Sequence, residues 1–300
     1  MVKNLQARLA IIGGSRAYDL LSKSSFGERS ACITPDTPFG KSAPIHFFSG
    51  VGFTYAFLSR HGEKSYEVTA PDVNYRANIW ALKELGVERI VSWSQPGGIN
   101  SEMKPGDFVI TSDIIDHTKT RDSTFYARTG LGFIRMGEPF CSETAGTLRA
   151  AVAATGNSFH DSGIYCCTEG PRLETPAEIR MFKSWGADLV GMTLATEAFL
   201  ARELEICYAS ICMVSNFAEG VTPRKFKEGV LFEGMLNEAE TEKVERSISL
   251  FPQIMENALQ RLSGLKRGCK CGLSMERYRR SGKLSGDLLS HIRESVKKSI

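Results

Sequence analysis

The stretch 165–218 constrains the fold of this chain more strongly than any other. It contains three short apolar runs, at residues 165–168, 187–192 and 206–214, with helical patterns between them. The segment TPAE at residues 175–178 has the form of a helix start: a hydroxyl N-cap, proline at the first helical position, and an acidic residue three positions after the cap. Alternating strands and helices over about fifty residues predict right-handed crossovers and a parallel sheet with helices on its faces.

Polar or flexible side chains follow each of these apolar runs. Glu174 lies in the loop after the turn at residues 169–171, Met192 and Thr193 end the second run, and Asn216 follows the third. In parallel sheets, ligands bind beyond the carboxyl ends of the strands. We therefore expect these four residues to meet in one pocket.

Composition predicts one folded domain of moderate charge. The chain has 300 residues, 42% of them hydrophobic, with a net charge of +3 and no internal stretch that reads as a linker. No run of eighteen apolar residues occurs, and the first residues lead directly into an apolar run. We expect a cytoplasmic α/β protein with a central mixed, largely parallel twisted sheet flanked by helices, without nucleic-acid or membrane partners.

The last residues differ in composition from the rest. Residues 265–300 hold ten Lys or Arg and three Asp or Glu, without the interleaved aromatics of a nucleic-acid-binding segment. We divide the chain into a domain at residues 1–264 and a basic C-terminal extension at residues 265–300. The extension contains Cys269 and Cys271.

The eight cysteines do not form a disulfide framework in the sequence. Six of them are scattered and are expected to be free thiols, mostly buried: Cys32, Cys141, Cys166, Cys167, Cys207 and Cys212. The CxC pair at Cys269 and Cys271 lacks the second pair that a structural zinc site needs. We therefore predict no metal site.

Two clusters in the first half of the chain suit an anion. Gly13-Gly14-Ser15 follows an apolar run, and glycines let backbone amides approach a phosphate while the serine adds a donor. Arg60-His61 ends another apolar run and offers a guanidinium and an imidazole. From the residues alone, either cluster is equally compatible with an ordinary turn.

Several motifs together resemble one enzyme family. The segments GPRLETPAE (170–178), WGADLVGMT (185–193) and ATEAFLARE (195–203) resemble the signature of the trimeric purine nucleoside phosphorylases and methylthioadenosine phosphorylases. The likeness runs from Ile11 to about Ala258. It implies a homotrimer or dimer of trimers, inorganic phosphate as co-substrate, and no cofactor. Some thermophilic members carry a C-terminal CxC, which makes a disulfide or redox pair an open alternative there.

The resemblance assigns a set of residues to phosphate. The family uses the positions of Ser15, Arg60, His61 and Thr193, together with the segment that starts at Ser94 and Gln95. Two departures stand out: Gln95-Pro96 is bulkier than the usual small residues, and proline removes an amide donor. Ala195-Thr196-Glu197 also replaces the usual VPE triplet.

The choice of base follows from hydrogen-bond patterns. A 6-oxopurine presents a donor at N1 and an acceptor at O6, so it suits a carboxylate and a carboxamide. Methylthioadenosine enzymes read TDYD after the last strand, whereas this chain has Asn216 and Ala218 there, with Glu174 opposite. We assign Glu174 and Asn216 as the catalytic pair that recognises a 6-oxopurine.

The sugar end separates substrates again. Leu173 replaces the usual stacking aromatic, as in the methylthioinosine phosphorylase branch, and no histidine occurs between His160 and His291 to bind a 5′-hydroxyl. Phe232 falls in the region that would face a 5′-methylthio group. Phe133 is at the position that family trimers project into a neighbour's sugar pocket. Met192 and Ala218 complete the predicted walls.

The sequence therefore predicts phosphorolysis of a purine nucleoside, with methylthioinosine or another 6-oxopurine nucleoside as substrate. Two alternatives stay open. One is a methylthioadenosine phosphorylase that tolerates Asn216. The other is a catalytically weak nucleoside-binding protein, suggested by Gln95-Pro96 and by the altered triplet at residues 195–197.

Overall fold

The computed structural model describes residues 5–23, 26–223, 229–231, 236–284 and 286–299. The strands are β1 Leu9–Gly13, β2 Arg29–Ile33, β3 Asp36–Thr37, β4 Gly40–Lys41, β5 Ile45–Gly50, β6 Phe53–Ser59, β7 Arg89–Ser94, β8 Gly97–Gly98, β9 Phe108–His117, β10 Phe159–Thr168, β11 Leu189–Gly191, β12 Cys207–Met213 and β13 Asn216–Phe217. The α-helices are α1 Ala17–Ser22, α2 Tyr75–Glu84, α3 Ser142–Ala153, α4 Pro176–Ser184, α5 Leu194–Glu203, α6 Glu238–Ser249, α7 Phe251–Ser263, α8 Glu276–Arg280 and α9 Leu288–Ser299. Short 3₁₀ turns lie at Ala70–Asp72 and Lys270–Leu273.

Within the described residues, one large mixed sheet forms the centre of the molecule. Its 11 strands run in the order β13-β8-β11-β10-β9-β12-β7-β1-β6-β5-β2. The pairs β1·β6, β1·β7, β7·β12, β9·β10 and β10·β11 are parallel, and β5 pairs antiparallel with both β2 and β6. Helices cover both faces. The predicted α/β class with a mixed, largely parallel sheet is confirmed.

The predicted orientation of one strand was wrong. Strands β10 and β11 pair in parallel as expected, but β12 runs antiparallel to β9 and parallel to β7. The β7 and β12 segments continue into β8 and β13, and β8 then pairs antiparallel with β11. The pairing of β13 with β8, and of β8 with β11, places Asn216 near β11. Asn216 reaches this position because the chain bends after β12, and not because β12 runs parallel to β11.

A local signal correctly placed the start of α4. Thr175 caps α4, since its side chain accepts from the backbone N–H of Glu178 while the Glu178 carboxylate accepts from the N–H of Thr175. The helical segment from Glu238 to Ser263 divides into α6 and α7 at Leu250. Pro252 lies in the first turn of α7, where its missing N–H costs nothing.

The basic C-terminal extension is folded against the domain. Tyr278, Leu284, Leu288 and Ile292 are buried in the same hydrophobic core as α2. Arg279 makes two 2.6 Å hydrogen bonds to the carboxylate of Glu205. Among the described residues, no helix combines the length and apolar character that a membrane span requires.

Candidate active site

A cleft opens where β6, β7, β11 and β13 end. Its walls are formed by Ser15, Arg60, His61, Tyr66, Ser94, Gln95, Gly97, Leu173, Glu174, Val190, Gly191, Met192, Thr193, Asn216, Ala218 and Glu219. Of the thirteen residues that the sequence analysis assigned to the site, the cleft brings eleven together. The other two are Phe133 and Phe232.

Arg60 lies at one end of the cleft, and the carboxylate of Glu197 compensates its positive charge. Its Nε and Nη2 donate to the two carboxylate oxygens of Glu197 at 2.5 and 2.8 Å, and its Nη1 donates to the Trp93 carbonyl at 3.0 Å. The Tyr208 hydroxyl also donates to Glu197, at 2.6 Å. Although burial disfavours the charged form, the Glu197 carboxylate keeps the pKa of the Arg60 guanidinium above its usual range. The guanidinium is therefore a fixed, compensated charge.

The glycine turn after β1 packs directly against this arginine. A Cβ at Gly14 would lie 2.5 Å from the Trp93 carbonyl oxygen and 2.8 Å from Arg60 Nη1, so a side chain there has no room. The Gln95 side-chain amide donates to the Ser15 carbonyl at 3.0 Å. The unusual Gln95 thus ties the end of β7 to the turn that carries Ser15.

His61 is held as a neutral imidazole. Its Nδ1 donates to the Val68 carbonyl at 2.9 Å, and its ring stacks on Tyr66 with 4.2 Å between centroids. Burial, followed by the nearby Arg60 charge, lowers the pKa of His61 to about 3. With Nδ1 protonated, Nε2 carries a lone pair and accepts hydrogen bonds, including one from the Tyr66 hydroxyl at 3.4 Å.

Three hydroxyl groups converge on the floor of the cleft. The Ser94 hydroxyl lies 3.3 Å from the Tyr165 hydroxyl, and Thr193, the N-cap residue of α5, lies against the same phenol. Gly191 makes room for that phenol, because a Cβ there would lie 2.0 Å from the Tyr165 oxygen. Burial raises the pKa of Tyr165, so its hydroxyl stays protonated. The α5 N-terminus therefore opens into a pocket floor of neutral donors.

Glu174 and Asn216 are each oriented by neighbouring groups at the other end of the cleft. The Thr168 hydroxyl donates to Glu174 Oε1 at 2.5 Å. Asn216 is buried; its Oδ1 accepts from the Ser215 hydroxyl at 2.7 Å and its Nδ2 donates to the Phe217 carbonyl at 2.8 Å. The carboxylate of Glu174 and the carboxamide of Asn216, which come from distant segments of the chain, thus line the same cleft.

Arg121 is a site-supporting residue that sequence reasoning missed. Its side chain is 2% exposed and donates to the carbonyls of Thr168 at 3.2 Å, of Glu169 at 2.5 Å, and of Met192. It therefore ties the ends of β10 and β11 together behind Glu174 and Met192. No pattern marked it, since it lies in an irregular loop.

The remaining predicted residues divide into cleft and non-cleft positions. Leu173, Met192 and Ala218 form apolar walls, whereas Phe133 is 82% exposed and lies outside the cleft. Phe232 lies outside the described residues. Tyr66 and Glu219 line the cleft but carried no recognisable motif in the sequence.

Comparisons with known proteins agree with this geometry. Residues 8–252 match the model of the phosphorylase superfamily. The chain is 47% identical over 225 residues to a probable 6-oxopurine nucleoside phosphorylase of Thermococcus kodakarensis, covering 73% of this chain and 82% of that protein. It is 44% identical over 227 residues to a probable S-methyl-5′-thioinosine phosphorylase of Methanothermobacter thermautotrophicus, covering 76% and 78%.

A solved structure extends the comparison to the whole chain. A methylthioadenosine phosphorylase from an Antarctic soil metagenomic library superposes with a TM-score of 0.82 at 30% identity. The match covers 98% of this chain and 99% of that one, so the likeness continues into the C-terminal extension, which the expected limit near Ala258 did not include. Taken with the site geometry, these matches show that the chain belongs to the phosphorylase superfamily.

Proposed function

We propose that this protein catalyses the phosphorolysis of purine nucleosides, that it prefers 6-oxopurines, and that S-methyl-5′-thioinosine is its best substrate. The observation that carries the proposal is the shared cleft of Glu174 and Asn216, with hydroxyl groups and the α5 N-terminus at its other end. The relatives named as 6-oxopurine nucleoside and methylthioinosine phosphorylases support the same assignment.

The base end supplies complementary partners for a keto purine. Thr168 occupies Glu174 Oε1, and we assign the other carboxylate oxygen to the N1–H of the purine. Asn216 hydrogen-bonds the O6 and N7 edge. A 6-aminopurine presents an acceptor at N1, which would face the carboxylate, and a mismatched buried polar group costs about 1–3 kcal/mol. This difference is the proposed source of base selectivity.

Phosphate is assigned to the hydroxyl-lined end. Ser15, Ser94, Gln95 and Thr193 contribute polar side chains there, and the N-terminus of α5 favours a bound anion. The neutral His61 Nε2 accepts the proton of a monohydrogen phosphate, because the ring proton on Nδ1 is donated to Val68. The Arg60–Glu197 pair adds no net charge, so oriented dipoles carry most of the binding.

The reaction needs no protein nucleophile. A phosphate oxygen forms a bond to C1′ while the C1′–N9 bond breaks, and the electron pair of that bond passes to the purine. The sugar develops oxocarbenium character, which the phosphate charge on its other face stabilises. Hydrogen bonds from Asn216 stabilise the charge that develops on the base. Inorganic phosphate is the co-substrate, and no cofactor enters the proposed step.

The sugar end and the assembly complete the proposal. Leu173 and Met192 offer apolar walls to a 5′-methylthio group. We expect a homotrimer or dimer of trimers in which the exposed Phe133 of one subunit enters a neighbour's sugar pocket. Analytical ultracentrifugation tests the trimer, and a monomer with full activity would contradict this role of Phe133.

A second candidate is a methylthioadenosine phosphorylase. The fold likeness over 98% of this chain to an enzyme of that name favours it. Four nucleosides decide between the two: adenosine, inosine and their 5′-methylthio forms, each assayed for release of free base with and without phosphate. We expect phosphate-dependent release, fastest from methylthioinosine. Faster turnover of methylthioadenosine would overturn the base assignment, and no release at saturating phosphate would favour a nucleoside-binding protein.

A matched pair of variants tests the carboxylate directly. Glu174→Gln places an N–H donor opposite the purine N1–H, so kcat/KM for 6-oxopurine nucleosides should fall about tenfold to a hundredfold. Glu219→Gln makes the same chemical change on another residue lining the cleft and should have a much smaller effect. Equal losses in both variants would contradict the assignment of Glu174.

A further inference from the structure

Four cysteines that are far apart in the chain meet outside the active site. The Sγ atoms of Cys141, Cys207, Cys269 and Cys271 all lie within 4.8 Å of one another. Cys141 is the N-cap residue of α3, Cys207 begins β12, and the CxC pair lies at the 3₁₀ turn of the C-terminal extension. The CxC pair has no second pair near it in the sequence because the other two cysteines come from two separate elements.

We propose that these four cysteines form a structural Zn²⁺ site that fastens the C-terminal extension to the domain. Four thiolates in a tetrahedron are a common structural zinc site, with Zn–S bonds of about 2.3 Å and therefore sulfurs about 3.8 Å apart. The observed spacing needs only small side-chain shifts to reach that geometry. The proposal does not depend on the proposed phosphorolysis.

The surroundings of the cluster fit a closed metal site. Cys141, Cys207 and Cys271 are each 3% exposed or less, and all eight cysteines of the chain are free thiols. Thiolates select soft or borderline ions such as zinc over magnesium or calcium. With four protein ligands and no open position, the ion would serve the fold rather than the reaction.

Charge balance supports the same inference. Binding follows Zn²⁺ + 4 RSH → [Zn(SR)₄]²⁻ + 4 H⁺, so the site carries two negative charges after four protons leave. Arg202 Nη1 donates to Cys271 Sγ at 3.3 Å, and Arg267 lies against Cys207 and Cys269. Two guanidinium groups therefore neutralise the complex. Cys141 at the N-terminus of α3 gains further stabilisation as a thiolate.

The location separates this site from the cleft. Cys207 begins β12, and Asn216 follows the end of the same strand, so roughly 20 Å of strand lies between them at about 3.3 Å per residue. The segment around the CxC has its own contacts, since Gly268 donates to Glu143 at 3.1 Å and the Ser274 hydroxyl donates to the Arg202 carbonyl at 2.6 Å. Variants at Cys269 and Cys271 are therefore expected to fold.

The first experiment measures zinc in the purified full-length protein by plasma mass spectrometry. We expect about one zinc ion per chain. The double variant Cys269→Ser/Cys271→Ser should retain about a tenth of that content or less. Cys212→Ala, at a buried cysteine outside the cluster, should keep it. The proposal would be overturned if wild-type protein held no zinc even after it was incubated with Zn²⁺. A double variant with the full zinc content would also overturn it.

The second experiment needs no variant. Wild-type protein is stripped of metal by a chelator under reducing conditions and is then titrated with Co²⁺. The intense visible absorption bands of tetrahedral thiolate coordination should appear. These bands should disappear when Zn²⁺ is added. Counting free thiols by alkylation before and after reduction tests the oxidised alternative. Two disulfides in the protein as purified from reducing buffer would contradict a metal site.

Discussion

Asn216 contributes to the proposed base selectivity beside Glu174, and the replacement of one atom tests its contribution. Asn216→Asp replaces the amide nitrogen by an oxygen, so the side chain can no longer donate to O6 or N7 but can accept from a 6-amino group. We expect the ratio of kcat/KM for methylthioadenosine over methylthioinosine to rise about tenfold or more. Steady-state assays with both nucleosides measure it.

A control for this change is available on a helix cap. Asn237→Asp keeps the capping box of α6, because aspartate is as good an N-cap as asparagine. Its substrate ratio should equal that of the wild type. An unchanged ratio in Asn216→Asp would show that this side chain does not contact the base.

His61 makes stability depend on pH in a defined direction. Its pKa of about 3 in the folded protein lies below the unfolded value of about 6.5, so the unfolded chain binds the extra proton first as the pH falls. The contribution to the free energy of unfolding is full above pH ~6.5 and declines towards pH 3, by at most about 1.4 kcal/mol per unit.

Proton NMR of the ring measures this shift. The His61 signals should keep the chemical shifts of neutral imidazole down to pH ~4, where a solvated histidine is fully charged. A His61 midpoint near 6.5 would contradict the burial and the Val68 hydrogen bond as causes.

At the scale of single residues, residue type predicted the site better than it predicted hydrogen bonding. The position of Arg60 in the cleft followed from its motif, but the Glu197 partner that neutralises it lies on α5 and carried no signal beyond an altered triplet. Likewise the acceptor role of His61 depends on Val68, whose carbonyl is positioned only by the folded loop.

Among the elements, α4 has the clearest local specification. Its capping box satisfies two backbone N–H groups and stands directly after Glu174. Thr175→Ala should lower the free energy of unfolding by about 1 kcal/mol and also raise KM for the nucleoside, since the loop that orients Glu174 loses its anchor. Chemical denaturation and steady-state kinetics measure the two effects.

The conservative variant separates the cap from the loop. Thr175→Ser keeps the hydroxyl acceptor and should restore both the stability and KM. A Thr175→Ala variant with wild-type values in both measurements would contradict the role of the cap.

Element positions were more predictable than element directions. The strands and helices of residues 165–218 appear where the apolar runs and cap signals predicted them, because those signals are local. The antiparallel direction of β12 relative to β9 depends on the pairing of residues 211–213 with residues 108–110, which is a long-range closure of the sheet. No periodicity in one segment reports such closure.

For the molecule as a whole, the C-terminal extension belongs to the hydrophobic core. Ile292 is completely buried there, so Ile292→Ala should cost about 2–5 kcal/mol in the free energy of unfolding. Leu265→Ala, at a residue 41% exposed, should cost far less. Denaturant unfolding with a single probe tests both, and equal small losses would mean that the extension unfolds independently.

The composition of the extension did not reveal this packing. Its net positive charge is typical of a solvated segment, yet its apolar residues recur on one face of α8 and α9 and Arg279 finds Glu205. The cysteine cluster was hidden for the same reason: its four members become neighbours only when the extension folds back.

Arg121 joins the two sides of the proposed base-binding part of the cleft, which are the Glu174 loop and the Met192 wall. It does so by hydrogen bonds to the carbonyl oxygens of Thr168, Glu169 and Met192. Neither side can therefore widen alone. A nucleobase with a bulky substituent would have to displace the Glu174 loop and the Met192 wall in the same movement. Tolerance for enlarged bases is thus governed by a guanidinium that is itself almost entirely covered by protein.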